Sequence, residues 1–349
     1  MMTNYDVLVC GGGPGGIAAS VAAARQGKKV LLIERYGFLG GGATAMLVNP
    51  FMTYFAGKRQ IVKGVFQEIV ERLSEMKAFG NDRMPKTPWA FDAEVFKIVA
   101  DRFCLENKVD ILFHAFVTGV KKDITRISGI EVATKDGLKI YSAGIYIDTT
   151  GDGDLAFLAG AKMVKGRIED GLCQPMTLNF QMANVDLDRM PSRETITARY
   201  LAAKVQGLIS CPREDALYFY TTNPGVVHFN QTRILNYDAT DPWELSAAEL
   251  EGRSQCWEMV QWLIREIPGF EGAYLQKMAT QIGVRESRRI IGEYILTEDD
   301  LLSGRKFVDV IACGSYPVDI HNPKGEGTIL KYLPEGEWYD LPYRSLLPQ

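Results

Sequence analysis

Cysteine is sparse in this 349-residue chain and never clustered. Cys10, Cys104, Cys173, Cys211, Cys256 and Cys313 lie far apart, and C-x-x-C does not occur. That spacing excludes an iron–sulfur cluster, a structural zinc site or a redox dithiol built from this chain, so no metal is expected. Scattered thiols suit a reducing compartment, and a cytoplasmic protein with free buried cysteines is expected. An excess of positive charge is also lacking. The net charge of −4 gives no reason to expect nucleic acid or an anionic membrane as partner. Nor is there a long unbroken apolar run. Val7–Ala24 is small and apolar, but Asp6 precedes it, no basic segment leads it, and six glycine and proline residues interrupt it. Neither a signal peptide nor a membrane span is expected. What remains is ordinary globular composition, 46% hydrophobic and 23% charged, in a chain long enough for two domains.

The first 34 residues carry the strongest signal. Tyr5–Cys10 reads as a short apolar strand, followed at once by Gly11, Gly12, Gly13, Pro14, Gly15 and Gly16. An Ala-rich helix, Ile17–Gln26, comes next, and a second strand, Lys29–Ile33, ends on Glu34. This is G-x-G-x-x-G with a strand before it, a helix after it and an acid about 20 residues on. Gly11 permits the tight turn, Gly13 lets backbone approach a pyrophosphate, and Gly16 lets helix and strand pack closely. The helix N-terminus offers N–H groups and a positive dipole end to phosphates. Glu34 suits a ribose diol. A Gly-rich loop of some other α/β protein would leave Glu34 unexplained.

A second glycine cluster follows: Gly37, then Gly40, Gly41, Gly42, Ala43 and Thr44. It reads as backbone packed against a ligand, or as a surface loop. Ile61–Lys77 is expected as an amphipathic helix with Ile61, Val65, Ile69 and Leu73 on one face. Asn81–Pro88 is expected as a loop. Phe91–Asn107 reads as a helix N-capped by Asp92, with Phe91, Val95, Ile98, Val99 and Phe103 as its stripe. Val109–Phe113, Phe116–Lys122, Ile127–Thr134, Leu138–Ser142 and Ile145–Asp148 read as strands, with Asp136-Gly137 as a hairpin turn. Thr149–Asp154 is a glycine turn, and Leu155–Ala161 a short helix.

Past residue 165 there is no second dinucleotide fingerprint. Met176–Val185 and Val226–Ile234 read as strands. Ser246–Ile267 reads as a long helix with Leu250, Trp257, Val260 and Ile264 on its apolar face, and Glu271–Ile282 as a shorter helix. His321, two residues from Asp319, is a candidate base that Asp319 could orient, or a loop histidine in a structural hydrogen bond. Arg285, Arg288 and Arg289 form an arginine group suited to a carboxylate substrate or a flavin carbonyl, or to pairing with Glu286 and Glu293 along a surface. His228 reads as structural and His114 as without function. Cys313 has no basic neighbour in sequence that would make it reactive.

A β-meander inserted after a βαβ unit is usual for two-domain flavoproteins. The N-terminal stretch resembles the FAD domain of glutathione-reductase-like flavoproteins, through Tyr5–Arg35 and through Ile145–Asp152, a strand ending in Thr-Gly and an acid. More narrowly, the chain is similar to the FAD-dependent oxidoreductase family grouped with the flavoprotein subunit of heterodisulfide reductase. The matching segments are Gly40–Gly42, Gln174–Thr177, Gly283–Arg289, Phe307–Asp309 and Tyr316–His321.

The resemblance implies an α/β fold: a Rossmann-like FAD/NAD(P)-binding domain with an inserted meander over residues 1–164, and an α+β substrate domain over 165–349. It implies FAD, held by Gly11, Gly13, Pro14, Gly15, Gly16 and Glu34 at the ADP half. Arg35, Gly41, Gly42 and Thr44 would lie along the pyrophosphate and ribityl chain. Val117 would meet the adenine, and Gly151 and Asp152 would sit close to the cofactor. Asp152 and Asp154 also read simply as an acidic helix start. The family's final strand, Gly-rich turn and helix are not recognisable after His321, and weakened FAD retention is expected on that account.

The expected function is an FAD-dependent oxidoreductase taking hydride from a small polar substrate, with His321, Arg285 and Asp319 as catalytic candidates. The electron acceptor is open, and a homo-oligomer or a partner subunit is left open with it. An NAD-dependent dehydrogenase and a truncated, non-catalytic nucleotide-binding subunit are the alternatives.

Overall fold

The computed structural model describes residues 4–80 and 89–349. The loop expected at Asn81–Pro88 lies outside the described residues. Strand β1 (Asn4–Cys10) leads through the glycine turn into helix α1 (Pro14–Arg25) and back into β2 (Val30–Ile33). A small hairpin, β3 (Phe55–Ala56) with β4 (Arg59–Gln60), precedes helices α2 (Val65–Glu75) and α3 (Ala93–Glu106). Strands β5 (Asp110–Leu112), β6 (Phe116–Asp123), β7 (Arg126–Thr134) and β8 (Gly137–Asp148) then complete one six-stranded sheet, ordered β5-β2-β1-β8-β7-β6. The pairs β5-β2, β2-β1 and β1-β8 are parallel, while β8-β7 and β7-β6 are antiparallel. This is the α/β, Rossmann-like arrangement with an inserted meander that the sequence implied.

Alternation along β1 shows how both faces are covered. Val7 and Val9 pack with Ile17 and Val21 of α1 and with Phe96 and Phe103 of α3. Leu8 and Cys10 point the other way, onto Ile130 and Val132 of β7 and onto Leu155. A central parallel strand buried on both faces reads as a continuous apolar run, as this one does. Asp92 caps α3 as expected, its carboxylate accepting from Glu94 N and Val95 N at 2.8 and 3.1 Å.

The two short strands expected at Leu138–Ser142 and Ile145–Asp148 are one twelve-residue strand. Residues 137–141 pair with β7, and residues 142–148 pair with β1. The partner switch falls between Tyr141 and Ser142, and just beyond it a Cβ on Gly144 would lie 3.3 Å from Asp6 O. A small residue there reads locally as a break and serves as a close approach of neighbouring strands.

The second half adds α4 (Asp154–Leu158), β9 (Met163–Lys165), β10 (Phe180–Ala183), α5 (Arg193–Val205), β11 (Tyr218–Tyr220), β12 (Val227–Phe229), α6 (Pro242–Glu266) and β13 (Tyr274–Met278). After these come β14 (Arg288–Ile290), α7 (Glu298–Leu302), β15 (Val310–Gly314), β16 (Val318–His321), β17 (Thr328–Lys331) and β18 (Tyr339–Pro342). Strands β11-β12-β10-β13 form an antiparallel sheet. The helix expected at Glu271–Ile282 is therefore wrong: Tyr274–Met278 is a strand, because pairing with β10 outweighs a sequence whose Leu, Gln, Lys and Met favour helix only weakly.

Helix α6 begins four residues before Ser246, at Pro242, with Asp241 as its N-cap. Its buried face is only in part the expected one, with Val260 buried and Ile264 against the core as expected. Leu250 and Trp257 are exposed, and Ala248, Gly252, Cys256, Met259, Val260 and Leu263 face inward. A Cβ on Gly252 would stand 3.1 Å from Leu178, so glycine sets how closely the helix lies on that strand segment. One apolar cluster runs from Val9 and Leu32 through Phe103 to Phe180, Phe229 and Trp262. No helix of the described residues is long and apolar enough to cross a membrane.

Candidate functional site

Two cavities meet at the start of α1. The first, of about 610 Å³, lies over the C-terminal ends of the parallel strands, where such sheets bind ligands. Its wall includes Gly11, Gly13, Pro14, Gly15, Glu34, Arg35, Gly41, Gly42, Val117 and Gly151. Three residues named with them do not line it. Gly16 packs helix on strand: a Cβ there would lie 1.9 Å from Gly11 O. Thr44 is buried and donates to Leu39 O at 2.8 Å. Asp152 turns aside and accepts from Ser287 Oγ at 2.5 Å, so tertiary pairing rather than the cavity claims its carboxylate.

The glycines divide by cause. Gly11 has φ +105°, and a Cβ would fall 2.3 Å from Thr149 O, because β1 and β8 end side by side there. Gly13, the residue before α1, would meet nothing nearer than Gly41 Cα at 3.8 Å, so the space beside it belongs to the cavity. Helix α1 has no side-chain cap and starts on Pro14. Its first N–H groups are left for an anion. Glu34 is buried, and its carboxylate accepts from Gly12 N at 2.6 Å and Tyr36 N at 2.8 Å, which fixes it at the cavity wall. A carboxylate oxygen still has lone pairs free for a diol after one such bond. The open space at Gly13, the uncapped helix start and the fixed acid fit a dinucleotide.

Sequence reasoning did not assign Tyr36, Thr149, Thr150 or Ser345 to this wall, and Asp154 and Arg288, read as an acidic helix start and as part of an arginine group, join it here. Thr149 Oγ1 donates toward Cys10 O and Gly11 O at 2.8 and 2.7 Å, closing the gap between the strand ends. Asp154 pairs with Arg288, which also donates to Asp152 O at 3.1 Å. Burial first, and then Asp152, hold the Asp154 carboxyl above its usual range, with Arg288 opposing. Strands β17 and β18 do not join the six-stranded sheet, but the segment after β18 returns to this cavity at Ser345.

The second cavity, of about 950 Å³, shares Pro14 and Gly42 with the first. Its other walls are the 48–53 segment, Arg213–Asp215, Arg285 and the β16-β17 hairpin with Tyr316, Asp319, His321 and Thr328. The arginine group of the sequence splits here. Arg289 pairs with Glu286 and donates to Gly166 O, and Arg288 pairs with Asp154. Among the described residues Arg285 has no hydrogen-bond or ion-pair partner, and its side chain is open to the cavity. Surrounding protein lowers its affinity for a proton, with Asp319 opposing that effect.

His321, Arg285 and Asp319 are thus brought to one cavity. Asp319 accepts from Tyr316 Oη at 2.9 Å, and its Oδ1 lies 3.4 Å from His321 Nε2. His321 Nδ1 stands 3.0 Å from Arg233 Nη2, and Arg233 pairs with Glu214 at 2.8 Å. Burial first, then the positive charge of Arg285, pushes the His321 imidazole down to about 4. Arg233 and Glu214 carried no signal in the sequence, since 88 residues separate Arg233 from the histidine it touches.

The other candidates are structural. His228 is fully buried with neither ring nitrogen hydrogen-bonded, and burial pushes it down to about 3. His114 has a left-handed backbone, φ 53°, at the strand end beside Gly37. Cys313 lies 3.7 Å from Asp340, and burial together with that carboxylate raises its thiol, so it is not poised as a thiolate.

Comparison with known proteins agrees with this geometry. The chain is 30% identical over 112 residues to a soluble pyridine nucleotide transhydrogenase of Pseudomonas entomophila, covering 32% of this chain and 24% of that protein. The transhydrogenase of Sodalis glossinidius is 32% identical over 84 residues, covering 24% of this chain and 16% of that protein. The chain thus matches a quarter or less of the length of these relatives. Among solved structures, p-nitrophenol 4-monooxygenase of Pseudomonas putida is similar in fold, with TM-score 0.50 and 13% identity over 84% of this chain and 70% of that one. The family model for FAD dependent oxidoreductases matches residues 6–349. A dinucleotide cavity over a Rossmann-like sheet, with a second cavity opening from it, is what such an enzyme requires, and the chain belongs to the FAD dependent oxidoreductase family.

Proposed function

We propose that the protein oxidises a small carboxylate-bearing molecule bound in the second cavity, passing hydride to FAD held in the first. The observation that carries this reading is Arg285, an unpaired guanidinium standing in a cavity that shares Pro14 and Gly42 with the dinucleotide cradle. A guanidinium fork recognises a carboxylate through two parallel hydrogen bonds. Gly11, Gly13, Pro14 and Gly15 would hold the pyrophosphate, Glu34 the ribose, and Val117 the adenine region. Arg35, Gly41 and Gly42 would follow the chain toward the flavin, near Gly151. FAD, when bound, supplies the two-electron acceptor. Arg285 binds and orients the substrate, and the Asp319 cluster receives the proton released with the hydride.

Val48, Pro50, Phe51 and Leu217 give the second cavity an apolar side opposite its charged groups. The same reading keeps the finer kinship with glutathione-reductase-like and heterodisulfide-reductase flavoproteins, supported by the Gly40–Gly42 and Gly283–Arg289 segments. A cytoplasmic location is supported by six unpaired cysteines. The acceptor that reoxidises the flavin would be a separate molecule or partner subunit. The deciding experiment is anaerobic mixing of the FAD-loaded chain with hydroxy and amino carboxylic acids and with their uncharged esters. Bleaching of the flavin by acids and not by esters is expected. Equal bleaching by esters removes the role given to Arg285.

A further inference from the structure

We infer that Arg233 fixes His321 as the neutral Nε2–H tautomer, which turns a proton rather than a lone pair toward Asp319, and that the proton-accepting pair of this cavity is Tyr316 with Asp319. The inference rests on the reading of the second cavity given above.

Each partner of the ring limits where its proton can sit. Arg233 is buried, and its guanidinium has donors and no acceptor. Its Nη2 stands 3.0 Å from His321 Nδ1, so Nδ1 has to present a lone pair. Thr328 Oγ1, 3.2 Å from the same nitrogen, has one proton, and that proton goes to Glu214 Oε1 at 3.1 Å. Nδ1 therefore carries no hydrogen, and the neutral ring holds its proton on Nε2. That nitrogen faces Asp319 Oδ1 at 3.4 Å. The backbone is held as well, since His321 N donates to Gln174 Oε1 at 3.0 Å.

A proton added to Nδ1 would put two cations 3.0 Å apart. Arg285 and Arg213 add to the repulsion, while Asp319 and Glu214 reduce it. Nδ1 is thus taken by Arg233, while Nε2 carries the proton and faces an Asp319 Oδ1 that has no hydrogen-bond partner among the described residues, so the side chain that sequence proximity made a base has no free lone pair for substrate.

Tyr316 lines the cavity and donates from Oη to Asp319 Oδ2 at 2.9 Å. The oxygen keeps its own lone pairs for a substrate O–H or N–H. In the step, the substrate proton moves to Tyr316 Oη as the tyrosine proton moves to Asp319 Oδ2. The substrate C–H bond breaks, and its electron pair leaves with the hydride for the flavin. The substrate carbon ends as C=O or C=N. Burial, with Asp319, pushes the Tyr316 hydroxyl up to about 12. A free phenolate is therefore not formed, and the two proton shifts are coupled.

The chain has three histidines, so side-chain 15N NMR of the FAD-loaded protein resolves each ring. His114→Gln and His321→Gln assign the signals. The expected result is His321 as the Nε2–H tautomer, unprotonated at about pH 5, where an ordinary histidine of pKa about 6.5 is charged. A Nδ1–H ring, or titration near 6.5, overturns the assignment. Arg233→Met should let the ring titrate upward, and if that variant does not fold, the wild-type tautomer still decides.

With a bleaching acid in hand, Tyr316→Phe should slow flavin reduction by about 10²- to 10⁴-fold. His321→Gln, which keeps an N–H donor for Asp319, should stay within about tenfold of wild type, while His321→Phe should not. Equal loss in the Gln and Phe variants would restore His321 as the base. If no acid bleaches the wild type, the reading of function fails, and the tautomer alone decides this inference.

Discussion

Arg35 donates to Gln281 Oε1 at 2.6 Å, joining the residue after the buried Glu34 to one 246 positions later. Tyr36 Oη bonds the same oxygen, and Gln281 N donates to Ala45 O at 3.2 Å. One amide therefore holds the dinucleotide wall to the second half of the chain. Gln281→Leu leaves two donors unpaired, each worth about 1 kcal/mol. FAD affinity, read by fluorescence titration, should fall by up to about thirtyfold, with a lowered thermal midpoint because the same two bonds hold the folded chain together.

The glycines separate binding from folding. Gly13→Val puts a side chain into open cavity space, and should abolish FAD binding while leaving the circular dichroism spectrum intact. Gly16→Ala places a Cβ against Gly11 O, and should destabilise the fold by about 1–3 kcal/mol, read by urea denaturation. Retained FAD binding in Gly13→Val would refute the placement of the pyrophosphate.

Arg285→Met should leave the spectrum of bound flavin unchanged and weaken carboxylate binding. A charge-assisted hydrogen bond contributes about 1.5–3 kcal/mol, which corresponds to a ten- to hundredfold rise in Kd, measured by the perturbation of flavin absorbance on adding the acid. An unchanged Kd would assign the carboxylate elsewhere.

Two buried histidines set the response to acid. His228 is held down to about 3 and His321 to about 4, chiefly by burial. In the unfolded chain both titrate near 6.5. Below that value the unfolded state gains protons that the folded state refuses, so stability falls as pH drops. Each histidine contributes about 1.4 kcal/mol per pH unit, His321 down to its folded value and His228 further still. His228→Leu should reduce the slope of stability between about pH 6 and pH 4 by about 1.4 kcal/mol per pH unit, read from urea midpoints across that range.

Much of the first cavity was legible because its determinants are local. The strand, the glycine turn, Pro14 at the helix start and Glu34 are fixed in order by a continuous stretch of chain, and local geometry brings them to one place. Asp92 as a cap and Asp136-Gly137 as a turn are local in the same sense. Where a partner far away decides, the sequence was silent or misleading. Tyr274–Met278 is a strand only because β10 lies beside it, and α6 turns Ala248 and Cys256 inward only because Leu178 meets Gly252.

The second cavity divides along the same line. The sequence by itself determined a dinucleotide cradle, through motifs whose spacing is set by backbone geometry, and its resemblance to a family pointed to FAD. It also brought forward Arg285, Asp319 and His321 as residue types able to bind an anion and move a proton. Only the tertiary structure decided which arginine is free, since Glu286 and Asp154 take the other two. Only it placed Arg233 against His321, and so decided which ring nitrogen carries the proton. The reason is physical: a motif encodes what neighbouring residues do to each other, whereas charge pairing and tautomer depend on groups that meet only when the chain has packed.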